Sequence, residues 1–293
     1  MTFPGQTDLS HTIQHILAAD PPLLVSALAL EASSARIEVQ CLLQAVLHVQ
    51  RVYLLAHPER SLSDAELSHY NGFLQRRLAG EPIAYILGER EFFGLNLKVT
   101  PATLIPRPDT ELLVELAVQR IPRHEPCKVL DLGTGTGAIA LAIAHACPQA
   151  QVLACDASAA ALAVATENAR ILGLANVSFV QSDWFAELGA QQFALIVTNP
   201  PYIAADDSHL AQGDVRFEPI AALVAGADGL DDIRHIILHA ASHLMPGGRL
   251  LLEHGYDQAA RVRSVLEGAK FEEVFSARDL AGIERASGGR KAA

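Results

Sequence analysis

The chain has 293 residues, room for two domains at about 150 residues each, and with half its residues hydrophobic and 19% charged it has the composition of a globular protein with a sizeable core. Its formal net charge of −11 repels phosphate and excludes a broad, sequence-independent binder of DNA or RNA. The four cysteines (Cys41, Cys127, Cys147 and Cys155) form no C-x-x-C pair and no zinc-type spacing, so they read as buried small hydrophobes.

Met1-Thr2-Phe3-Pro4-Gly5-Gln6 has neither a basic n-region nor an apolar h-region, so no secretory signal is expected. The longest apolar stretches are broken by Glu31, His145 or Asp156 before membrane-spanning length, and a cytoplasmic protein without a membrane partner is expected. From about Ser10 to Gly80 the pattern is helical, with Ile37, Cys41, Leu42, Val46, Val49, Val52 and Tyr53 spaced as one helix face or two consecutive helices require. Ser63-Asp64-Ala65-Glu66 is a capping box for a helix running to a C-cap at Gly80, and Pro82 blocks continuation. These features predict a small all-α domain over 1–83. Glu91-Phe92-Phe93-Gly94-Leu95-Asn96-Leu97-Lys98-Val99 suits a short hairpin, within a β-hairpin connector over 84–109. Pro106 and Pro108 forbid a regular element, after which Asp109 or Thr110 can cap a helix beginning at Glu111.

From about 127 strands and helices alternate. Strands are predicted at Lys128–Leu132, Val152–Asp156, Val177–Val180, Phe193–Val197 and Arg249–Glu253, and helices at Ala138–Ala146, Ala159–Leu172, Asp231–His243 and Gln258–Glu267. The pattern predicts an α/β domain over 110–293, a mostly parallel, doubly wound, Rossmann-like sheet with its ligand at the carboxyl ends of the strands.

Gly133, Thr134, Gly135, Thr136 and Gly137 follow the first of these strands and open a helix. Glycines there let the backbone approach a ligand closely, and the helix start aims amides at it. Asp156 ends the next strand, about twenty residues on, where a carboxylate accepts from ribose hydroxyls. Together they indicate an adenosine-type nucleoside, and the glycines alone leave a nicotinamide enzyme open. Asn199-Pro200-Pro201-Tyr202 follows the strand ending at Thr198. Its two prolines remove two backbone donors, so the loop offers carbonyls and the Asn199 oxygen to the hydrogens of a planar amino group, with Tyr202 against its flat face.

With Ser182-Asp183-Trp184-Phe185, these motifs resemble S-adenosylmethionine-dependent class I methyltransferases acting on planar amino groups. Gly80-Glu81-Pro82-Ile83-Ala84-Tyr85-Ile86-Leu87-Gly88, Glu91 to Val99, Ile105-Pro106-Arg107-Pro108-Asp109-Thr110-Glu111, Gln212 to Pro219 and Leu251-Leu252-Glu253-His254-Gly255 resemble, more narrowly, the release factor glutamine N5-methyltransferases. The resemblance implies S-adenosylmethionine held by Gly133 to Gly137 at its amino acid end, by Asp156 at its ribose and by Asp183 and Trp184 at its adenine, with Asn199 bordering both cofactor and substrate. It implies that Asn199, Pro200, Pro201 and Tyr202 bind the substrate amide and carry catalysis. The acceptor is the Gln of the Gly-Gly-Gln motif in peptide chain release factors, which the helical domain helps to recognise. Methyl transfer is then an in-line displacement that calls for no metal and no general base. The family closes its sheet with a hydrophobic edge strand, whereas Ala286-Ser287-Gly288-Gly289 reads as a poor one.

Other features have blander readings. His235, His239 and His243 share a helix face but lack an acidic partner and read as surface or packing residues. Glu253-His254-Gly255 reads as packing near the site, and Arg76, Arg77 and Arg90 as a solvated face. The rival functions are a nucleic acid exocyclic-amine methyltransferase, which the charge disfavours, a nicotinamide oxidoreductase, which leaves Asn199 to Tyr202 unexplained, and a non-catalytic release factor binder, which the intact motifs disfavour.

Overall fold

The computed structural model describes residues 11–122 and 125–292, so the reading of Met1 to Gln6 lies outside the described residues. Of the described residues, those up to Gly88 with His209–Phe217 form one compact unit, and Glu89–Ser208 with those from Glu218 onward form a second.

The first unit is helical: α1 (Ile13–Ala19), α2 (Pro21–Leu28), α3 (Ala32–Leu47), α4 (Arg51–Ala56), α5 (Asp64–Leu78) and α6 (Ile83–Leu87). The inward stripe of α3 is Ala35, Val39, Leu42, Leu43 and Val46. Ile37 and Val52, expected on the inward face, are 55% and 67% exposed. Ile37 lies two residues from Ala35, about 200° around the helix, which puts it on the far side from the core. The capping box forms as expected, Ser63 Oγ accepting from Glu66 N–H while the Glu66 carboxylate accepts from Ser63 N–H at 2.8 Å. The helix α5 stops at Leu78 and does not continue through Pro82, as expected; Pro82 is instead the N-cap of α6, a position that needs no backbone N–H.

Arg77 departs most from expectation. Its side chain is 2% exposed, donating to Glu38 at 2.7 Å, to Asp214 at 3.0 Å and to the Glu81 carbonyl at 3.0 Å. Burial opposes its charge, but the two carboxylates outweigh burial and hold the guanidinium above its usual range.

The second unit opens with an antiparallel hairpin, β1 (Glu89–Phe92) and β2 (Leu95–Lys98). Phe92, Leu95 and Leu97 enter its core, and Asn168 clips the hairpin by accepting from Lys98 N–H (2.7 Å) and donating to Lys98 O (3.0 Å). Then come α7 (Glu111–Val118), β3 (Cys127–Leu132), α8 (Ala138–Ala146), β4 (Ala150–Asp156), α9 (Ala159–Leu172), β5 (Val177–Gln181), β6 (Phe193–Thr198), α10 (Asp231–His243), β7 (Leu244–Glu253), α11 (Ala259–Gly268), β8 (Glu272–Arg278) and β9 (Glu284–Arg290). The seven strands lie in the order β5-β4-β3-β6-β7-β9-β8, with β3 to β7 parallel and β9 antiparallel to both its neighbours.

Alternation along the central strands builds two cores. Val129, Leu195 and Val197 face the layer of α7, α8 and α9, whereas Leu130, Leu132 and Ile196 face α10 and α11. This is the expected doubly wound sheet, with its switch point between β3 and β6.

The C-terminal segment corrects the sequence reading, because Glu284–Arg290 is a full strand inside the sheet. A Cβ on Gly288 would stand 2.5 Å from Leu250 O, and one on Gly289 2.8 Å from Phe271 Cβ. The glycines that spoil the strand signal are therefore what lets β9 fit between its neighbours. The edge is β8, which the sequence reading did not anticipate.

Candidate active site

The strands β3, β4 and β6 end side by side, and their following loops line a cavity of about 360 Å³. Gly133, Gly135, Asp156, Ser158, Asp183, Trp184, Asn199, Pro201 and Asp232 contribute to its wall, together with Ala102 to Leu104 and the Pro219–Ala222 turn. Of the residues singled out in the sequence, Thr134, Thr136, Gly137, Pro200 and Tyr202 do not line it.

Behind the glycine loop, Asp131 is fully buried at the end of β3. Its Oδ2 accepts from Thr134 Oγ1 at 2.6 Å and from Ala140 N–H at 3.2 Å, tying the loop to the first turn of α8. Burial pushes its pKa up to about 7, against the pull of those two hydrogen bonds. Thr134 and Thr136 are buried in this scaffold, and Gly137 is the N-cap of α8.

Asp156 accepts from Gly135 N–H through Oδ2 and from Ser158 N–H through Oδ1, each at 2.9 Å. Each carboxylate oxygen keeps a second lone pair for a ligand hydroxyl. Trp184 stands at φ 47°, in the left-handed region, where its carbonyl accepts from Ser182 Oγ at 2.8 Å. Its indole faces Asp232, a residue that no sequence signal had marked, and favours the ionised carboxylate against the burial that raises its pKa. The ring lies over Gly133, where an added Cβ would already touch Trp184 at 3.4 Å. A flat apolar wall, a glycine beneath it and an acid at the next strand end make a cradle suited to a nucleoside.

Asn199 lies at the end of β6. Its Nδ2 donates to Thr110 Oγ1 at 3.2 Å, so its Oδ1 remains to accept from a ligand. This contact occupies the Thr110 oxygen, and neither Asp109 nor Thr110 makes the capping bond expected of it. A 3-10 turn, Pro108–Thr110, leads into the helix, and Thr110 at the N-cap makes no capping bond. Past the two prolines the first backbone donor, Tyr202 N–H, is taken by Leu223 O (3.2 Å), while Tyr202 O accepts from Gln258 Nε2 (2.9 Å).

The Tyr202 hydroxyl donates to Glu253 Oε1 at 3.3 Å, at the end of β7. Glu253 is fully buried, and burial pushes its pKa up to about 7; the facing Thr110 hydroxyl, the hydrogen bond from Tyr202 and the charge of Arg285 pull it down, while Asp109 adds to the rise. Burial and the Glu253 charge push the Tyr202 phenol up as well. His254 is fully buried and shares a hydrogen bond with Ser287 Oγ at 2.8 Å. Arg107 pairs with the buried Glu218, which precedes the Pro219–Ala222 turn. The sequence offers one signal for Glu253: like Asp131 and Asp156, it is an acid in the closing turn of a hydrophobic strand.

His235 and His239 lie against each other with their rings tilted by 32°, and His243 stacks on Phe185 with centroids 4.7 Å apart. Among the described residues no group of His, Cys, Asp or Glu is arranged to hold a metal, and no helix is long and apolar enough to cross a membrane.

Residues 109–216 match the family model described as Methyltransferase small domain, and residues 25–88 match the PrmC N-terminal domain. The release factor glutamine methyltransferase of Salmonella typhimurium is 50% identical over 260 residues, covering 89% of this chain and 94% of that protein. The protein of the same name from Bordetella pertussis is 51% identical over 255 residues, covering 87% and 94%. A solved methyltransferase structure from Pyrococcus furiosus shares the fold, with a TM-score of 0.53 at 18% identity over 76% of this chain and 100% of that one.

Proposed function

The chain belongs to the release factor glutamine methyltransferases, and from that premise we propose how its own residues carry the reaction. It is a methyltransferase whose acceptor is a glutamine side chain of a release factor. The family uses S-adenosylmethionine, and the cradle fits it. Trp184 over Gly133 would cover the adenine with Asp183 beside it, Asp156 would take the ribose hydroxyls, and the loop from Gly133 to Gly137 would meet the amino acid end through Gly133 and Gly135. Bound there, S-adenosylmethionine supplies a methyl group activated on a sulfonium.

The remaining task belongs to the protein, because an amide nitrogen is a poor nucleophile with its lone pair delocalised into the carbonyl. The Asn199 oxygen and the Pro200 carbonyl would each accept one of its hydrogens, turning the nitrogen toward the methyl group. Those bonds strengthen as the nitrogen becomes positive, which favours the transition state over the bound amide, and the methylated nitrogen then loses one proton to solvent. The observation that carries this reading is the Asn199 amide, held through its nitrogen by Thr110 with its oxygen left to accept, on the wall of a nucleoside-shaped cavity. The acceptor would be the Gln of the Gly-Gly-Gln motif, the helical domain over 1–83 would help to recognise the factor, and the enzyme would work in the cytoplasm where translation occurs.

The deciding assay offers labelled S-adenosylmethionine with a purified release factor, a Gln→Ala version of its Gly-Gly-Gln motif, DNA and RNA. Label on the wild-type factor alone is expected. Label on nucleic acid would overturn the acceptor while keeping the cradle, and label on the Gln→Ala factor would move the methylated residue elsewhere.

A further inference from the structure

A buried carboxylate with one oxygen left without a hydrogen-bond partner lies behind the substrate loop. Glu253 Oε1 receives the Tyr202 hydroxyl, while Oε2 has no close hydrogen-bond partner among the described residues. An acceptor buried in this way costs free energy unless something uses it. Thr110 faces this carboxylate and favours its ionised form. The same Thr110 oxygen already accepts from Asn199 Nδ2, so its own hydroxyl hydrogen needs an acceptor, and Glu253 is the acceptor it faces.

We propose that Glu253 is a positioning residue for methyl transfer: through the Thr110 hydroxyl its carboxylate sets the orientation of the Asn199 amide, and through Tyr202 it holds the other end of the same loop. The inference rests on the functional reading above. An ionised carboxylate only accepts, so both hydroxyls must donate to it. Thr110 Oγ1 is then left as an acceptor that only Asn199 Nδ2 can fill, and the Asn199 oxygen faces the substrate. A protonated carboxyl or a glutamine amide can donate to Thr110 instead. Thr110 then donates to Asn199, the amide turns over, and an N–H meets the N–H of the substrate.

The groups facing Glu253 are Thr110 and Asp109 from the start of α7, Tyr202 from the loop after β6, and Arg285 from β9. Arg285 also lies 3.5 Å from Asp109, and His254, next on the chain, is held below its usual pKa mainly by burial.

The test measures kcat, KM for the release factor, and S-adenosylmethionine affinity across pH 5.5 to 8.5 for wild type, E253Q, T110V and T110S, with circular dichroism to follow folding. Wild-type kcat should fall on the acid side with a limb near the pKa of about 7. E253Q and T110V should lose about ten- to a hundredfold in kcat, the scale of a misplaced reacting group. Cofactor affinity should be unchanged within about twofold, since neither side chain lines the cradle. E253Q should lose the acid limb, and T110S should restore most of what T110V loses. Folded E253Q with wild-type kcat and an intact limb would overturn the proposal. So would T110V at wild-type rate, which decides the matter alone should E253Q not fold. Wild-type enzyme that labels no release factor would instead overturn the reading on which the proposal rests.

Discussion

Asn199 has one amide oxygen and one amide nitrogen, and the fold uses them for opposite tasks, the nitrogen donating inward to Thr110 and the oxygen left for a ligand. Asn199→Ala removes the acceptor while leaving Trp184, Asp156 and the glycine loop in place. Its turnover at saturating cofactor and release factor should therefore fall by about a hundredfold or more, as for loss of one preorganised polar group at a transition state. Titration calorimetry should find S-adenosylmethionine affinity within about threefold of wild type, and an equal loss in both quantities would place Asn199 in the cofactor cradle instead. At this scale the sequence is readable where a group announces its own chemistry. Two prolines after an Asn at a strand end do so, and so does an acid after a glycine loop. Thr110 and Asp232 carry no such mark. Thr110 looks like a helix cap until Asn199, distant in the chain, is placed against it, and Asp232 looks like an acid in a first helical turn until it faces the Trp184 indole.

Elements of the α/β half are legible because buried parallel strands are short apolar runs and amphipathic helices repeat at helical period. The prediction for α10, Asp231–His243, holds to the residue, whereas β9 is misread because its glycines lower strand propensity locally while tertiary packing demands them. Gly288 has no positive φ, so the cost of a side chain there is steric. An added Cβ meets Leu250 O at 2.5 Å and Leu251 Cδ2 at 2.7 Å, whereas one on Gly268 in α11 meets nothing within 4 Å. Gly288→Ala should destabilise the protein by about 1–3 kcal/mol in urea titrations, the usual cost of overpacking. Gly268→Ala should be neutral or slightly stabilising, since alanine has the better helix propensity. Equal stability for the two variants would mean that β9 is not packed inside the sheet. Arg77 teaches the same lesson in the helical unit. A basic pair on a helix reads as a solvated face until Glu38 and Asp214 close on one of its members.

Across the whole molecule, the buried carboxyls set against the paired surface ones shape how stability depends on pH. Burial raises Asp131 from 3.8 and Glu253 from 4.5, each to about 7. A carboxyl raised in the folded state keeps its proton where the unfolded chain has released it. Its contribution to stability is therefore full below the unfolded value and lost as pH rises through about 7. Glu66, Glu81, Asp228, Glu273 and Asp279 behave in the opposite sense. Hydrogen bonds from arginines, or for Asp279 first from a backbone N–H, lower them, so their contribution is lost as pH falls below the usual carboxylate range. His254, lowered by burial from 6.5, also loses its contribution as pH falls. These opposing slopes overlap, so the informative quantity is a difference between variants. E253Q removes one proton uptake on folding, and between pH 5.5 and 7 its unfolding free energy should decline less steeply than that of wild type. The gap approaches about 1.4 kcal/mol per pH unit, the slope of one proton. Urea unfolding at half-unit intervals of pH measures it, and parallel curves for the two proteins would mean that Glu253 titrates alike in the folded and unfolded chains. The sign also ties stability to function. The ionised Glu253 proposed to orient the Asn199 amide is the form that burial opposes, so this one group favours the fold most on the acid side of the pH at which the loop from Asn199 to Tyr202 would be set for the reaction.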